Sequence, residues 1–228
     1  MIDHYDWARG REAVMRFGPA TGPVVIAALP LFEEANRTRT FVVTLLRALA
    51  ARGIAGALPD LPGTGESLVA TEEMSLAALH AAFAAAVAQI HAEGRAVHAL
   101  AVRSGALLDL LADLSSRWHF APIDGADLVR ELDRIRLASS PGAGDAAAIE
   151  IAGNRISRRF LADLGTLCPL SAEDGPPVRV VRLESDRQPA DLHVAAAPLW
   201  RRAEPDNDFP LAELLAGDVA AWVRACAG

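Results

Sequence analysis

The stretch Ala99–Asp109, ALAVRSGALLD, is the sequence feature that most constrains the fold of this chain. It predicts a short apolar strand, a turn of one or two residues and then a helix over 104–114. Small residues stand at Ala101 and Gly105, two positions before and two after Arg103. This spacing is typical of a nucleophile elbow, in which a strained turn lifts one side chain from the end of a central strand. We therefore expect Arg103 at the tip of an elbow.

Arg103 and Ser104 are the two candidates for the tip, and they allow different chemistry. With Ser104 at the tip, β-branched Val102 falls in the crowded position before the turn. A guanidinium cannot act as a nucleophile at accessible pH. Ser104 supplies a hydroxyl nucleophile only if the turn is shifted by one residue. Otherwise Ser104 is an ordinary N-cap of the following helix, and this is the interpretation that we favour.

Apolar strands alternate with helices along the rest of the chain. Val24–Leu29 and Ile54–Leu58 are continuous apolar runs, typical of parallel strands that are covered on both faces. The alternation predicts an α/β fold with a doubly wound, mostly parallel sheet in a single domain over 1–228. Further strands are expected at 11–17 (an edge strand), 96–102, 118–121, 148–152, 178–183 and 192–197, and further helices at 40–52, 72–92, 126–138, 157–167 and 211–225.

The alternation changes between residues 124 and 170. An amphipathic helix, a break at 139–144, a short strand and a helix capped by Ser157 follow one another there. We interpret 124–170 as a small cap, or lid, inserted into the sheet topology.

Composition excludes several classes of function. All 22 basic residues are arginine, which excludes a Walker phosphate loop and Schiff-base lysine chemistry. A net charge of −7 argues against a non-specific nucleic-acid binder. No apolar run is long enough to span a membrane, and the acidic N-terminal residues do not resemble a signal peptide. Cys168 and Cys226 are far apart, and no His, Cys and carboxylate spacing is typical of a metal site. We expect a cytoplasmic protein with free thiols and no metal or cofactor.

Six segments together resemble a known family: PLFEEANRTR (30–39), LPDLPGTGES (58–67), the elbow AVRSGALL (101–108), LDRIRL (132–137), IEIAG (149–153) and PLWRRAE (198–204). With these motifs the chain resembles an α/β hydrolase and, within that superfamily, the second type of exosortase A system-associated hydrolase. That family's elbow also carries arginine at the nucleophile position, with glycine at the place of Ala101 and leucine at the place of Ser104. The resemblance implies a hydrolase of ester-type bonds that accompanies exopolysaccharide and protein-sorting systems in Gram-negative bacteria.

A catalytic triad needs a base and an acid beside its nucleophile. In α/β hydrolases the triad histidine follows the last strand of the sheet. The last histidine of this chain is His193, which lies at or before that strand. Asp186 follows the strand at 178–183, where the acid of a triad usually lies. An aspartate is also common in a solvated turn, and we favour this interpretation of Asp186. The candidate catalytic residues are therefore Ser104, Asp186 and His193, in a triad that looks degenerate.

The loop after the 24–29 strand carries carboxylates where an oxyanion would need backbone N–H donors. Glu33 and Glu34 lie in this loop, and Glu204 falls near the place of the missing histidine. We expect Arg103 to form a buried ion pair with one or more of these three, with Asn36 in the same pocket. Removing one partner of such a pair costs about 3–5 kcal/mol of stability.

The sequence is compatible with three functions, and it does not decide whether the protein is an enzyme. One is a hydrolase of a small acyl or glycosyl-linked ester. Another is a non-catalytic protein that binds an anionic metabolite or a protein partner through Arg103 and the N-terminus of the helix after the elbow. The third is a structural partner in an export or polysaccharide assembly. The partners considered are an anionic or ester metabolite, a second copy in a homodimer and the polysaccharide-export machinery.

Overall fold

A mixed, mostly parallel eight-stranded sheet forms the centre of the protein, in a computed structural model that describes residues 1–139 and 148–227. The strands of the described part are β1 (Ile2–Trp7), β2 (Gly10–Phe17), β3 (Val24–Ala28), β4 (Ala55–Pro59), β5 (Val97–Val102), β6 (Ser116–Phe120), β7 (Ala148–Ile151), β8 (Asn154–Ser157), β9 (Val178–Leu183) and β10 (Leu192–Val194). The sheet has the order β1-β2-β4-β3-β5-β6-β9-β10. β1 and β2 are antiparallel to their neighbours, and the other pairs are parallel.

Helices cover both faces of this sheet. Those in the described residues are α1 (Glu33–Ala51), α2 (Leu76–Ala92), α3 (Gly125–Ser139), α4 (Arg158–Leu164) and α5 (Phe209–Cys226), with short 3₁₀ helices at Thr71–Glu73, Arg103–Leu107 and Leu199–Arg201. α1 and α5 pack on one face, and α2, α3 and α4 pack on the other. Every residue of β3 and β5 is buried, as expected for parallel strands between two helical layers. The predicted doubly wound α/β fold is confirmed.

The register of the central strands brings three loops to one edge of the sheet. Ala28 at the end of β3 lies opposite Ala101 of β5, and Val102 of β5 lies opposite Phe120 of β6. The chain therefore leaves β3, β5 and β6 at the same level. Open α/β sheets bind ligands at this carboxyl edge of their strands.

The expected cap region contains α3, the antiparallel β7–β8 hairpin and α4, inserted between β6 and β9. Ser157 caps α4, because its hydroxyl accepts a hydrogen bond from the backbone N–H of Phe160 at 3.0 Å. Residues 140–147, which include most of the break expected at 139–144, lie outside the described residues. That the region 124–170 acts as a cap stays a prediction.

The predicted helix over 104–114 is wrong. A single 3₁₀ helix, Arg103–Leu107, leaves the elbow, and turns lead on to β6. An α-helix would use the carbonyl of Leu107 as an acceptor within the helix. Here that carbonyl is 2.7 Å from Nε2 of His80, while Arg117 donates to the carbonyls of Asp109 and Ala112 at 3.1 and 3.2 Å. Side chains therefore bond to the carbonyls of Leu107 and Asp109, which a helix over 104–114 would bond within itself.

Other boundaries differ less. β2 is not an edge strand, because β1 pairs with its outer side. β8 pairs with β7 in a hairpin that sequence patterns did not indicate. α1 begins at Glu33 rather than residue 40, since two glutamates in its first turn favour a helix start. α2 begins at Leu76, where Ser75 caps it by accepting a hydrogen bond from the N–H of Ala78 at 3.2 Å.

Candidate functional site

The elbow at the end of β5 places Arg103 at its tip. Arg103 has a φ of 54°, in the left-handed region that non-glycine residues rarely adopt. The chain also passes very close to β3, because a Cβ added at Gly105 would lie 2.2 Å from the carbonyl oxygen of Ala28. A strained residue followed two positions later by an obligatory glycine is the geometry of a nucleophile elbow.

Two carboxylates and one aromatic ring enclose the guanidinium of Arg103. Its Nε and Nη2 lie 3.3 and 3.2 Å from the two carboxylate oxygens of Glu34 in the first turn of α1. Nη2 also donates to Glu131 of α3 at 2.9 Å, and Cζ lies 4.9 Å from the ring centroid of Trp200. Arg103 is 7% exposed. The ion pairs therefore connect the elbow to α1 and to the inserted region.

The Glu34 carboxylate is largely buried in this cluster, with its side chain 16% exposed. Burial raises the pKa of its carboxyl, and neighbouring Glu131 raises it further. The Arg103 guanidinium, through charge and hydrogen bonds, and Arg37, through charge, act in the opposite direction but do not restore the ordinary value. The carboxylates of Glu34 and Glu131 therefore share the Arg103 guanidinium, with Arg37 and Arg201 acting at longer range.

Ser104 faces away from the cleft. It is fully buried, and its hydroxyl accepts a hydrogen bond from the backbone N–H of Leu31 at 2.9 Å. Its position inside the 3₁₀ helix also means that it is not the N-cap that we favoured, since no side chain caps this helix. The hydroxyl is therefore bonded to an N–H of the loop after β3, the loop in which an oxyanion would need free N–H donors.

Asp186 and His193 are hydrogen-bonded locally. Asp186 accepts a hydrogen bond from Arg182 at 2.8 Å and another from the N–H of Gln188 at 3.0 Å. Burial would raise the pKa of Asp186, but these hydrogen bonds and the charges of Arg182 and His193 hold it below its ordinary value. His193 is exposed on β10, with Nε2 3.1 Å from the carbonyl oxygen of Gln188. The structure does not bring Ser104 together with this pair.

Of the other expected pocket residues, Glu33 lines the same cavity as Glu34, whereas Asn36 and Glu204 do not. Glu33 lies near the β7–β8 turn, with a carboxylate oxygen 3.5 Å from Nδ2 of Asn154. Asn36 is exposed and lines a small cavity of about 60 Å³ on the other side of the loop. Glu204 is exposed, and neither it nor Glu33 is among the ion-pair partners that the described residues give Arg103. Of the three expected partners, the structure brings Glu34 to Arg103.

Two cavities adjoin the Arg103 cluster. The first, here called the apolar cavity, measures about 530 Å³ and is lined by Leu31, Phe32, Glu33, Glu34, Arg37, Leu128, Glu131, Leu132, Arg134, Ile135, Ile151, Ala152, Asn154, Trp200 and Arg201. The second, here called the polar cavity, measures about 330 Å³ and lies between the loops that follow β6 and β9. Glu131, Arg134, Trp200 and Arg201 line both. The Arg103–Glu131 pair therefore stands where the two cavities meet.

Solved structures resemble this architecture over the whole chain. Est1E from Butyrivibrio proteoclasticus, described with bound ferulic acid, aligns with a TM-score of 0.64 at 13% identity and covers 98% of both chains. The esterase domain of a Rhodothermus marinus protein aligns at 0.61 and 16% identity, over 99% of this chain and 98% of that one. Mouse alpha/beta hydrolase domain-containing protein 10 aligns at 0.61 and 13% identity, over 99% of each. The chain has the α/β-hydrolase fold. No family model and no curated protein sequence matches it.

Arg103 lies at the tip of the elbow, and the loop after β3 brings the Glu34 carboxylate to it. No three His, Cys, Asp or Glu residues of the described part are grouped to hold a metal ion, and no described helix is long and apolar enough to cross a membrane. The arrangement can bind and orient polar groups through the Arg103 guanidinium and its carboxylate partners.

Sequence reasoning missed Glu131, Trp200 and Arg201. Glu131 lies on the polar side of a helix that the sequence did predict, but nothing in the periodicity shows which residue meets the elbow. Trp200 and Arg201 belong to the PLWRRAE segment used for the family resemblance, which was the available signal.

Proposed function

We propose that this protein is a pseudoenzyme of the α/β-hydrolase fold, which binds a small molecule in the cleft between α1, α3 and the β7–β8 hairpin and does not hydrolyse it. The observation that carries the proposal is the ion pair of Arg103, at the elbow tip, with Glu34 and Glu131. Both carboxylates and the arginine are held where an acyl group and its attacking nucleophile would have to meet.

Three features argue against acyl transfer at this site. The guanidinium at the tip is not a nucleophile at accessible pH. A negative charge that develops beside Glu34 is opposed by that carboxylate rather than stabilised, whereas an oxyanion hole needs preorganised donors. Ser104, the neighbouring hydroxyl, is fully buried and already bonded to Leu31.

The apolar cavity supports a binding role. Ligand sites are commonly clefts of about 300–1,000 Å³ with a mainly apolar lining and a few convergent polar groups. This cavity measures about 530 Å³, with Phe32, Leu128 and Ile151 among its apolar walls. Glu33, Glu34 and Glu131 provide polar groups at its margin.

Ester hydrolysis is the second candidate function. It is favoured by the position of Asp186 after β9, where a triad acid is expected, and by the esterases among the similar folds. It requires the elbow to rearrange so that Ser104 leaves Leu31 and meets His193.

Covalent labelling separates the two candidates. Purified protein is incubated with a fluorophosphonate probe and assayed with p-nitrophenyl acetate, and adducts are located by intact and peptide mass spectrometry. We expect no labelling of Ser104 and no ester hydrolysis above that of a Ser104→Ala variant. Ser185→Ala, which changes an exposed serine beside Asp186, is the matched control. Labelling that disappears in Ser104→Ala alone would establish the hydrolase and refute our proposal.

The cellular setting that the resemblance implies is also part of the proposal. We propose that the protein serves an exosortase-associated exopolysaccharide system, with a cytoplasmic location. Deletion of its gene in the source bacterium should lower the amount of secreted polysaccharide, and expression of the Ser104→Ala variant should restore it. Restoration by the wild-type protein alone would indicate that the hydroxyl is needed.

A further inference from the structure

We infer that the polar cavity is a binding site for a small organic acid that carries a carboxylate or phosphate group. The inference goes beyond the proposed function, which places its ligand in the adjoining apolar cavity. The cavity of about 330 Å³ extends from the Arg103–Glu131 pair to the loop after β9.

The first argument is the charge that the cavity leaves uncompensated. Five arginines and four carboxylate residues line it. Three of the carboxylates are paired: Asp186 with Arg182, Glu131 with Arg103, and Asp127 with Arg130, which lies outside the cavity.

Two cations and one anion remain. Arg134 and Arg187 have no carboxylate within 4.0 Å in the part of the chain that the structure describes. Asp124 is the one lining carboxylate of the described residues without an ion-pair partner. Arg201 adds a weak contact, with Nη2 3.8 Å from Glu131. The uncommitted side chains are therefore positive on balance, and an anion is the charge that would complement them.

The second argument is the buried guanidinium of Arg182 in the cavity wall. Arg182 is 9% exposed, and its Nη1 donates to Asp186 and to the carbonyl of Pro122 at 2.8 and 3.1 Å. Its Nε is buried without a hydrogen-bond partner among the described residues. Buried donors in folded proteins are nearly always paired, and those that are not need an explanation. A ligand oxygen at this wall, with a small shift of the side chain, would supply the missing acceptor.

The third argument concerns size and geometry. A volume of about 330 Å³ is near the lower end of ligand sites, which suits a metabolite rather than a polymer chain. Carboxylate and phosphate groups both match the parallel N–H donors of a guanidinium, and such bidentate pairs are among the stronger hydrogen bonds in proteins. Pro122, Ile123 and Leu183 add apolar wall for a short carbon skeleton.

Calorimetric titration at low ionic strength tests this inference. The probes are succinate, citrate and inorganic phosphate, with glycerol as the neutral comparison. We expect at least one anion to bind, with an affinity that falls as salt is added, and glycerol not to bind. Phosphate and the two carboxylates distinguish the two kinds of anionic group.

Three variants locate the binding. Arg187→Gln should lower the affinity for the anion about tenfold, because it removes an unpaired cation from the cavity wall. Asp124→Asn should strengthen binding about threefold, because it removes the unpaired carboxylate. Arg159→Gln is the matched control and should leave the affinity unchanged, since Arg159 is 92% exposed on α4 and outside the cavity.

Equal affinities in Arg187→Gln and Arg159→Gln would overturn the inference, as would failure of all three anions to bind. A negative result for the anion site is distinguishable from a negative result for the proposed function. Labelling of Ser104 by the fluorophosphonate would overturn the pseudoenzyme and leave a measured anion site intact. An unreactive protein that binds none of the anions would overturn the anion site alone.

Discussion

Two clusters of arginine and carboxylate lie at opposite ends of the segment that joins β5 to β6. At the elbow, Arg103 pairs with Glu34 and Glu131. Near the start of β6, Arg117 lies 3.6 Å from Asp109, whose other carboxylate oxygen is 2.9 Å from Nε2 of His119. The two clusters use the same chemistry, but they differ in burial and in what surrounds them.

The Asp109 cluster is closed, whereas the Arg103 cluster borders two cavities. The side chains of Asp109 and His119 are fully buried, and Arg117 donates further hydrogen bonds to backbone carbonyls of the segment. In the Arg103 cluster, the side chains of Glu34 and Glu131 keep 16% and 28% of their exposure. The closed Asp109 cluster can therefore only stabilise the fold. The Arg103 cluster is open, and its charged groups can bind a ligand in place of one another.

The largest expected effect is that of Asp109→Asn. Arg117 would then be a buried cation without a carboxylate, and losing one partner of a buried pair costs about 3–5 kcal/mol. We expect the midpoint of thermal unfolding to fall by about 10 °C, measured by calorimetry. Asp113→Asn changes an exposed aspartate of the same segment and should have little effect. Equal midpoints for the two variants would show that the closed cluster does not stabilise the fold.

Arg103→Ala should cost less, about 2 kcal/mol. Glu34 and Glu131 lose their partner, but their remaining exposure allows water to solvate them, so the penalty is below that of a fully buried charge. The control is Arg201→Ala, at a side chain that is 71% exposed and 3.8 Å from Glu131. Chemical denaturation of the two variants measures the difference. A cost equal to that of Asp109→Asn would mean that the two clusters are equivalent, contrary to the comparison.

The same contrast explains how much of the molecule could be predicted from sequence. Apolar runs such as Val24–Val25–Ile26 fix buried parallel strands, and small residues around Arg103 fix the elbow, because both depend on local patterns. The shape of the segment before β6 depends instead on the side chains of His80 and Arg117, which bond to carbonyls 27 and 8 residues away in the chain. No periodicity contains that information, and a helix was predicted there instead.

The candidate site follows the same rule. Glu34 was expected near Arg103 because the loop after β3 is the place where an oxyanion at the elbow would need its donors. The structure confirms that this loop and the elbow leave adjacent strands. Glu131 comes from the inserted region, whose packing on the sheet is a tertiary property. Ser104 was expected to cap a helix or to act in catalysis. In the structure it does not cap the helix after the elbow, and its hydroxyl accepts the N–H of Leu31, a contact across 73 residues.

The smallest expected effect concerns pH, and it separates the open cluster from the closed one. Burial raises the pKa of Glu34 more than Arg103 lowers it. The folded protein therefore binds a proton at Glu34 at pH values where the unfolded chain has released it. Through this group, the free energy of unfolding falls as the pH rises from 4.5, the ordinary value, through the raised pKa.

Glu34→Gln removes that titration. The free energy of unfolding of this variant, relative to the wild type, should therefore increase as the pH rises from 4.5 toward neutrality. Urea denaturation at several pH values in this window measures it, with Glu213→Gln, 60% exposed, as the control that should run parallel to the wild type. A Glu34→Gln profile that is also parallel would mean that the Arg103 pair compensates the buried carboxylate fully. The Arg103 cluster would then offer a ligand no uncompensated charge at Glu34.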